Sequence, residues 1–217
     1  MSKNIQQQAI AFLGGTFDPV HFGHLRPALE ISEALSLKQL FFMPNYISPH
    51  KSVIHSEPKQ RCEMVQLALR NQPRMSIDTR ELNRSTPSYT ANTLKELKQQ
   101  YPDTPICFIM GMDSLLSFDT WFQWQDILSY CHLIISHRPG WECVFNEQVQ
   151  TLVDAHQTSN KHDLHNIQAG KIYFQSTSQL AISSSEIRQL LNNDISIDYL
   201  VPEAVNDYIK LHQLYKN

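Results

Sequence analysis

The chain lacks the features that mark several large classes of protein. Its 217 residues include only four cysteines, and no two of them form a Cys-x-x-Cys pair. No apolar run approaches the roughly 20 residues of a membrane-spanning helix. The N-terminal Met-Ser-Lys-Asn-Ile-Gln-Gln-Gln has no apolar stretch of the kind that a secretory signal carries. We therefore expect a cytoplasmic protein with reduced thiols and no membrane partner.

Two common nucleotide-binding signatures are also missing. The six glycines form no Gly-x-Gly-x-x-Gly pattern, and the only Gly-Lys pair, Gly170-Lys171, is followed by Ile172. This argues against a P-loop ATPase and against an ordinary dinucleotide-dependent dehydrogenase. The formal net charge is −3, whereas a nucleic-acid-binding domain usually carries a basic surface. We therefore expect no nucleic-acid partner.

The order of apolar segments predicts the fold. Strands are expected at Ala9–Leu13, Leu40–Met43, Met75–Asp78, Ile106–Met110, His132–Ser136 and Ile172–Gln175, and helices at His24–Leu35, Gln60–Arg70, Ala91–Gln100, Trp124–Ser129, Glu147–His156, Ser184–Leu191 and Glu203–Leu214. This alternation indicates an α/β fold with a doubly wound parallel sheet, and the length suits one domain. The polar stretch from His156 to Gly170 is expected to be a flexible loop.

The most informative segment runs from Gly14 to Leu25 and reads Gly-Gly-Thr-Phe-Asp-Pro-Val-His-Phe-Gly-His-Leu. It joins an apolar strand to a helical pattern, and open α/β sheets bind ligands at such junctions. Two glycines are expected to turn the backbone sharply and to let a ligand approach its N–H groups. His21 and His24 lie one helical turn apart, so their imidazoles can face one phosphate group together. Either histidine alone would more simply be a solvated or capping residue.

A second anion site is predicted between Ile182 and Arg188. Ser183 and Glu186 have capping-box spacing, so a helix is expected to begin there. Ser184 and Ser185 then lie in its first turn, where free N–H groups favour an anion, and the Arg188 guanidinium follows one turn later. Alone, this pattern fits an ordinary capped surface helix. Together with Gly14–Leu25, it predicts a clamp around a triphosphate.

Residues in the middle of the chain suggest a second pocket at the same edge of the sheet. Asp113 follows a buried strand, where it can accept hydrogen bonds from a ribose or cap the next turn. The aromatic cluster around Trp121 is compatible with a core position or with stacking on a ligand ring. Arg138 ends another strand, while His50 and Lys51 supply cationic candidates in a proline-containing loop.

Both terminal motifs resemble those of the HIGH-motif nucleotidyltransferase superfamily, with its Rossmann-like fold. Its first loop reads Gly-Gly-x-Phe-Asp-Pro-x-His-x-Gly-His, and its second mark reads Ile-Ser-Ser-Ser/Thr-x-x-Arg. Within the superfamily, the chain is most similar to the bacterial nicotinate-nucleotide adenylyltransferases. The matching segments occur in the family's order: Gly14–Leu25, Pro49–Lys51, Ser88–Thr90, Thr93–Leu94, Gly111–Leu115, Thr120–Trp121, Arg138–Gly140 and Ile182–Arg188. Ser48 departs from the family, which often has proline there.

The resemblance implies adenylyl transfer from ATP to nicotinate mononucleotide, giving deamido-NAD and pyrophosphate. It implies catalytic roles for His21, His24 and Arg188. It implies ATP binding by Gly14, Gly15, Thr16, Phe17, His24, Gly111, Asp113, Ser183, Ser184, Ser185 and Arg188, with the helices from about residue 183 completing the ATP site of a single domain over residues 1–217. It implies mononucleotide binding by Asn45, His50, Lys51, Thr90, Trp121, Phe122 and Arg138.

The implied cofactor is Mg²⁺, held mainly by substrate phosphates because the sequence has no dense carboxylate cluster. Asp18 is the nearest acidic residue able to assist. ATP and nicotinate mononucleotide are the expected partners, and a homo-oligomer is left open. Two other functions also stay open. One is a related nucleotidyltransferase that acts on nicotinamide mononucleotide or phosphopantetheine, and the other is a nucleotide-binding module without turnover.

Overall fold

Strands and helices alternate along the chain in a computed structural model, which describes residues 8–46, 54–84, 87–138, 140 and 143–216. Its strands are β1 (Ile10–Gly15), β2 (Gln39–Pro44), β3 (Met75–Ile77), β4 (Ile106–Gly111), β5 (His132–His137) and β6 (Ile172–Ser176). Its α-helices are α1 (Phe22–Ala34), α2 (Pro58–Leu69), α3 (Thr90–Gln100), α4 (Met112–Leu116), α5 (Trp124–Tyr130), α6 (Glu147–His156), α7 (Asp163–Asn166), α8 (Ser184–Asn192) and α9 (Glu203–Leu211). Every predicted strand and helix is present, with small differences at the ends.

The strands form one parallel sheet in the order β3-β2-β1-β4-β5-β6. The chain therefore leaves β1 toward one edge of the sheet and returns at β4 to build the other. Leu13 of β1 is level with Ile109 of β4, so both strands end at the point where the order reverses. Such a switch point leaves a crevice for ligands between the first loops on either side. The predicted doubly wound parallel sheet is confirmed.

Apolar side chains cover both faces of the sheet, as expected for parallel strands. Along β1, Ala11 belongs to the core on one face, and Ile10 and Phe12 belong to the core on the other. Helices α1, α2, α8 and α9 contribute buried residues to the first core, and α3, α5 and α6 contribute to the second. Within the described ranges, no helix is both long and apolar enough to cross a membrane.

The segment from His156 to Gly170 differs from the flexible loop that its polar composition predicts. It contains α7, and His165 is only 8% exposed. Nδ1 of His165 accepts a hydrogen bond from the backbone of Ala9 over 3.0 Å, and its other ring nitrogen lies 2.9 Å from the carbonyl oxygen of Leu35. Helix α7 and the two buried hydrogen bonds of His165 give this segment a defined structure, so the prediction of a flexible loop is wrong.

A second buried histidine, His132, begins β5 and is fully buried. Its Nδ1 accepts from the backbone N–H of Lys171 over 3.1 Å, and its Nε2 lies 2.8 Å from the carbonyl oxygen of Ile167. These contacts require the neutral ring with its proton on Nε2. Burial lowers the pKa of His132 to about 4 from the ordinary 6.5.

The lowered pKa of His132 predicts a specific pH dependence of stability. As pH falls from 6.5 to 4, the unfolded chain binds a proton at this site before the folded chain does, so folding loses stability. The stability of the wild type relative to His132→Gln should fall by up to about 3 kcal/mol across this window. Urea unfolding at several pH values measures this difference. The exposed His162, replaced by Gln, is the control and should show no such trend; a difference independent of pH for His132→Gln would contradict the prediction.

Candidate active site

Two cavities open side by side at the carboxyl edge of the sheet, where β1 and β4 end. The larger has a volume of about 700 Å³ and the smaller about 410 Å³. Their common wall comes from the ends of both strands, the segments that follow them and the start of α8: Leu13, Thr16, His24, Ile109, Met110, Gly111, Asp113 and Ser184. Ligands in the two cavities would therefore meet beside Thr16 and His24.

His21 and His24 lie together at the amino-terminal end of α1, as their spacing predicts. His21 is the extended residue before the helix, with φ −147° and ψ 171°. Its backbone N–H donates to Nδ1 of His24 over 3.3 Å, and the backbone N–H of His24 donates to its carbonyl oxygen over 2.9 Å, so the two residues are bonded to each other at the helix end. Because Nδ1 of His24 is an acceptor, its neutral ring carries the proton on Nε2.

The two imidazole rings are closely packed at the cavity wall. Their centroids are 3.7 Å apart with an angle of 31° between the ring planes. The ring of Phe17 meets His24 nearly edge-on, with centroids 5.1 Å apart. Both histidines line the larger cavity, and His24 also lines the smaller one. Packing and the hydrogen bond to Nδ1 of His24 together fix the ring orientations before any ligand binds.

Helix α8 supplies the opposite wall of the larger cavity. Ser183 is its N-cap, and its Oγ accepts from the backbone N–H of Glu186 over 3.1 Å. Ser184 and Ser185 follow in the first turn and line the cavity with Ser183. The backbone N–H groups of a first helical turn lack partners within the helix and favour an anion.

Two side chains of α8 bind directly to the loop that follows β1. Oγ of Ser184 donates to the carbonyl oxygen of Pro19 over 3.0 Å, and Nη1 of Arg188 donates to the carbonyl oxygen of Asp18 over 2.6 Å. The structure thus brings the two sequence motifs together, although about 165 residues separate them along the chain. Arg188 also lines the larger cavity.

The Asp18 carboxylate is already bound by donors of the protein, and its assistance to a metal ion stays a prediction. Asp18 is only 3% exposed. Its carboxylate accepts from the backbone N–H of His55, the hydroxyl of Ser56 and the hydroxyl of Tyr215. These three donors make it an anchor for the loop. Among the described residues, no group of three or more His, Cys, Asp or Glu side chains is arranged to hold a metal ion.

The two glycines of the first motif do not form the sharp turn that was predicted. Gly14 and Gly15 end β1, where they pair in register with Met43 and Pro44. The left-handed conformation occurs at Phe17 instead, with φ 52°. A Cβ on Gly15 would lie 2.8 Å from the Phe17 ring, so the lack of a side chain provides space for that ring. Gly14, Gly15 and Phe17 line the smaller cavity rather than the larger, and their contact with ATP stays a prediction.

Asp113 and the preceding Gly111 line both cavities at the end of β4. Gly111 is the N-cap of α4, and the Asp113 side chain makes no capping hydrogen bond there. A Cβ on Gly111 would lie 2.5 Å from Oδ1 of Asp113, so glycine lets the carboxylate approach the strand end. This placement favours the ligand-binding interpretation of Asp113 over the capping one.

The smaller cavity contains four residues that the sequence assigned to a second substrate: Asn45, Thr90, Trp121 and Phe122. The backbone N–H of Asn45 donates to the carbonyl oxygen of Gly15 over 3.0 Å, which fixes Asn45 beside the end of β1. Thr90 begins α3, so the amino-terminal end of a helix opens onto this cavity. The arrangement suits a ligand with an aromatic part and an anionic group.

An aromatic cluster forms one side of the smaller cavity. Trp121 packs nearly edge-on against Phe108, with centroids 6.4 Å apart, and against Phe118 at 5.5 Å. Phe122 is 46% exposed, and its ring lies 4.7 Å from that of Tyr89. Trp121 is therefore held by the core on one side while it lines the cavity on the other, and its stacking on a ligand ring stays a prediction.

Comparisons with known proteins identify the family. A model described as cytidylyltransferase-like matches residues 12–190. The chain is 72% identical to a probable nicotinate-nucleotide adenylyltransferase of Psychromonas ingrahamii, over 98% of this chain and 100% of that protein. It is 44% identical to one of Aeromonas hydrophila, over 95% of this chain and 97% of that protein. The chain belongs to the nicotinate-nucleotide adenylyltransferase family.

Solved structures share the fold of this adenylyltransferase. The Plasmodium falciparum nicotinic acid mononucleotide adenylyltransferase complexed with NaAD has a TM-score of 0.72 at 22% identity, and the alignment covers 96% of this chain and 97% of that one. The same protein complexed with APC has a TM-score of 0.71 at 21% identity, with the same coverage. These likenesses confirm the nucleotidyltransferase fold, and the more similar curated relatives confirm the resemblance noted from the motifs.

Three residues that the sequence assigned to the mononucleotide are not among those that line the smaller cavity in the described part of the adenylyltransferase. His50 and Lys51 lie outside the described residues. Arg138 follows β5 at the carboxyl edge but lines a separate cleft with Glu30 and residues 176–179. The sequence correctly predicted that Arg138 follows a strand. Because β5 is one strand further from the switch point than β4, however, Arg138 lies beside other residues than those of the smaller cavity. Its role in binding the mononucleotide stays a prediction.

Several lining residues of the adenylyltransferase were not found by sequence reasoning. The larger cavity includes Ser136 and Gln179, joined by a hydrogen bond of 3.0 Å, and also His55. Ser136 lies near the end of β5, and a polar residue at the carboxyl end of a buried strand is a usable signal. The smaller cavity includes Glu81 and Ser88. Glu81 gave no signal because it occurs in a polar segment without periodicity.

Proposed function

We propose that this adenylyltransferase joins ATP to nicotinate mononucleotide at the junction of its two cavities. A phosphate oxygen of the mononucleotide attacks the α-phosphorus of ATP and forms the new bond. The bond from that phosphorus to the oxygen bridging to the β-phosphorus breaks, and pyrophosphate leaves with the electron pair. The products are deamido-NAD and pyrophosphate. The main support is the common wall at Thr16 and His24, because the reaction chiefly requires the alignment of two bound phosphates.

The larger cavity is proposed to bind ATP. His21, His24 and Arg188 would donate hydrogen bonds to the triphosphate, and the first turn of α8, with Ser183 to Ser185, would bind it from the other side. A guanidinium group has five N–H donors, so Arg188 can bind phosphate oxygens while it holds the Asp18 carbonyl. Donors fixed before binding stabilise charge that develops on the leaving pyrophosphate.

The smaller cavity is proposed to bind the mononucleotide, with Trp121 stacked on the pyridine ring. A nicotinate carboxylate is favoured near Thr90, because the amino-terminal end of α3 attracts negative charge. Glu81 lines the same cavity and is 4% exposed. Burial raises the pKa of Glu81, although hydrogen bonds from Thr93 and Ser88 oppose the shift. Burial therefore disfavours the charged form of the Glu81 carboxyl group beside the proposed mononucleotide.

Nucleotidyltransferases use a divalent metal ion, and we propose Mg²⁺ in this one. Phosphate oxygens and water are its preferred ligands in nucleotide sites. Since Asp18 is already bound by three donors, we propose that the ion enters as part of the Mg–ATP substrate rather than in a site of protein carboxylates. We also propose that residues 1–217 act as one nucleotidyltransferase domain, whose ATP site is completed by the helices from about residue 183.

A direct assay tests the reaction. The protein is incubated with Mg–ATP and, separately, nicotinate mononucleotide, nicotinamide mononucleotide or phosphopantetheine, and the products are identified by mass. We expect deamido-NAD with one pyrophosphate released per product. A larger rate with either other acceptor would reassign the substrate. Binding of ATP without release of pyrophosphate would contradict the catalytic proposal.

Replacement of His24 by alanine tests the catalytic assignment. The variant loses a ring that lines both cavities, so the rate of adenylyl transfer should fall roughly 100-fold or more. Circular dichroism should show the fold intact. His162→Ala, which removes an exposed histidine, is the control and should keep the wild-type rate. A folded His24→Ala variant of normal activity would refute the assignment.

Replacement of Trp121 by alanine tests the stacking proposal. Because Trp121 lines only the smaller of the two cavities, the KM for nicotinate mononucleotide should rise about tenfold, with a much smaller change in the KM for ATP. Trp124→Phe is the control, since Trp124 packs on Phe118 and lines neither cavity. Equal effects of Trp121→Ala on both constants would remove the stacking proposal.

A further inference from the structure

The last residues of the chain reach back to the loop that follows β1. The hydroxyl of Tyr215 donates to Oδ1 of Asp18 over 2.8 Å and lies 3.2 Å from Oγ of Ser56. Ser56 donates to the same Oδ1, while the backbone N–H of His55 donates to Oδ2 over 2.8 Å. Two hydroxyls from distant parts of the chain therefore converge on one carboxylate oxygen.

The residues after α9 adopt a backbone conformation that places the Tyr215 hydroxyl beside Asp18. Gln213 and Tyr215 both adopt left-handed conformations, with φ of 50° and 65°. Such conformations are unfavourable for residues with a side chain and persist when surrounding contacts require them. Lys216 is fixed by an ion pair of 2.8 Å with Asp194. Burial, together with the negative charge of Asp18, raises the pKa of Tyr215, so the phenol remains a donor at neutral pH.

Asp18 links this contact to the walls of the larger cavity. Its carboxylate binds Tyr215, whereas its own carbonyl accepts from Arg188, and the carbonyl of the next residue, Pro19, accepts from Ser184. A rotation of the Asp18 side chain would therefore move the two backbone carbonyl groups to which Arg188 and Ser184 donate hydrogen bonds. The hydroxyl of Tyr215 does not line either cavity, so any effect on ATP has to act through Asp18.

We infer that Tyr215 is a positioning residue for the nucleotide loop. It fixes the orientation of the Asp18 carboxylate. Through Asp18 it also keeps Arg188 and Ser184 in the positions proposed for binding the triphosphate. This inference rests on the proposed use of the larger cavity for ATP. It gives the C-terminal segment a role in the reaction, although that segment contacts neither substrate.

The test is Tyr215→Phe, which removes one hydroxyl and keeps the ring. The kcat/KM for ATP should fall about tenfold, while the KM for nicotinate mononucleotide should change less than about twofold. Thermal unfolding should show a stable fold, because Asp18 keeps its other two donors. Tyr208→Phe is the matched control: the Tyr208 hydroxyl donates to the Glu63 carboxylate on α2, away from both cavities, and its loss should leave the kinetic constants unchanged.

A double-mutant cycle with Ser56→Ala identifies the path of the effect. In that background, Tyr215 is the remaining hydroxyl donor to Oδ1 of Asp18, so Tyr215→Phe should cost more activity than it does in the wild type. Equal losses in both backgrounds, or an equal loss in Tyr208→Phe, would overturn the inference. Wild-type constants in Tyr215→Phe would overturn it too.

Calorimetric titration with Mg–ATP separates this inference from the proposed reaction. If the wild type fails to make deamido-NAD, the proposed function fails by itself. The titration still tests the inference, since Tyr215→Phe should weaken ATP binding about tenfold and Tyr208→Phe should not. Unchanged affinity in Tyr215→Phe would overturn the inference whatever the product assay gives.

Discussion

The candidate site depends on one buried carboxylate, that of Asp18. A buried charge is costly unless hydrogen bonds and an opposite charge satisfy it. Three donors meet the Asp18 carboxylate, and the Arg61 guanidinium lies close enough for the two charges to interact. Arg61 is itself fully buried, and its Nη1 donates to the carbonyl oxygen of Thr16 over 2.8 Å. Asp18 links the loop to His55, Ser56 and Tyr215, and Arg61 binds the loop at Thr16, so the backbone of the loop has little freedom to adopt another path.

The order of the strands explains why two cavities meet at this loop. The loop after β1 and the turn after β4 leave the sheet on opposite sides of the switch point, and each forms a wall for both ligands. Thr16 comes from the first, and Gly111 and Asp113 come from the second. In the proposed arrangement, one substrate in each cavity brings their phosphates together beside this common wall without a covalent link to the enzyme. Topology therefore supplies much of the alignment that the reaction requires.

The sequence was sufficient for features that depend on local pattern. Apolar periodicity predicted the strands and helices, and the motifs predicted that Ser183 caps a helix and that His21 and His24 share a helix end. It was insufficient where a residue's role depends on distant partners. The three donors to the Asp18 carboxylate were not predicted because His55, Ser56 and Tyr215 are remote in sequence. His165 looked exposed because its partners, Ala9 and Leu35, are more than 100 residues away.

Backbone conformation was the other source of error. Glycine is the residue expected in a left-handed conformation, yet at this loop the left-handed residue is Phe17 and the glycines are extended in β1. Phe17 is only 2% exposed, and its ring packs against Phe42 as well as His24. Burial of a large ring, sterically permitted by Gly15, can offset the strain. That balance belongs to the packed structure, and no local rule predicts it.

An acidic chain can bind two anionic substrates because its favourable groups converge at one edge of the sheet. In a parallel sheet the helices that follow the strands begin at the carboxyl edge, so their positive ends lie together. Here α1, α3 and α8 all begin beside the cavities, with His24, Thr90 and Ser184 in their first turns. Three acidic residues also line the cavities: Asp18, whose carboxylate is bound by three hydrogen-bond donors, Glu81, whose pKa is raised by burial, and Asp113 at the end of β4. Helix ends, imidazole N–H groups and Arg188 supply the favourable groups at the cavities, within a chain whose net charge is −3.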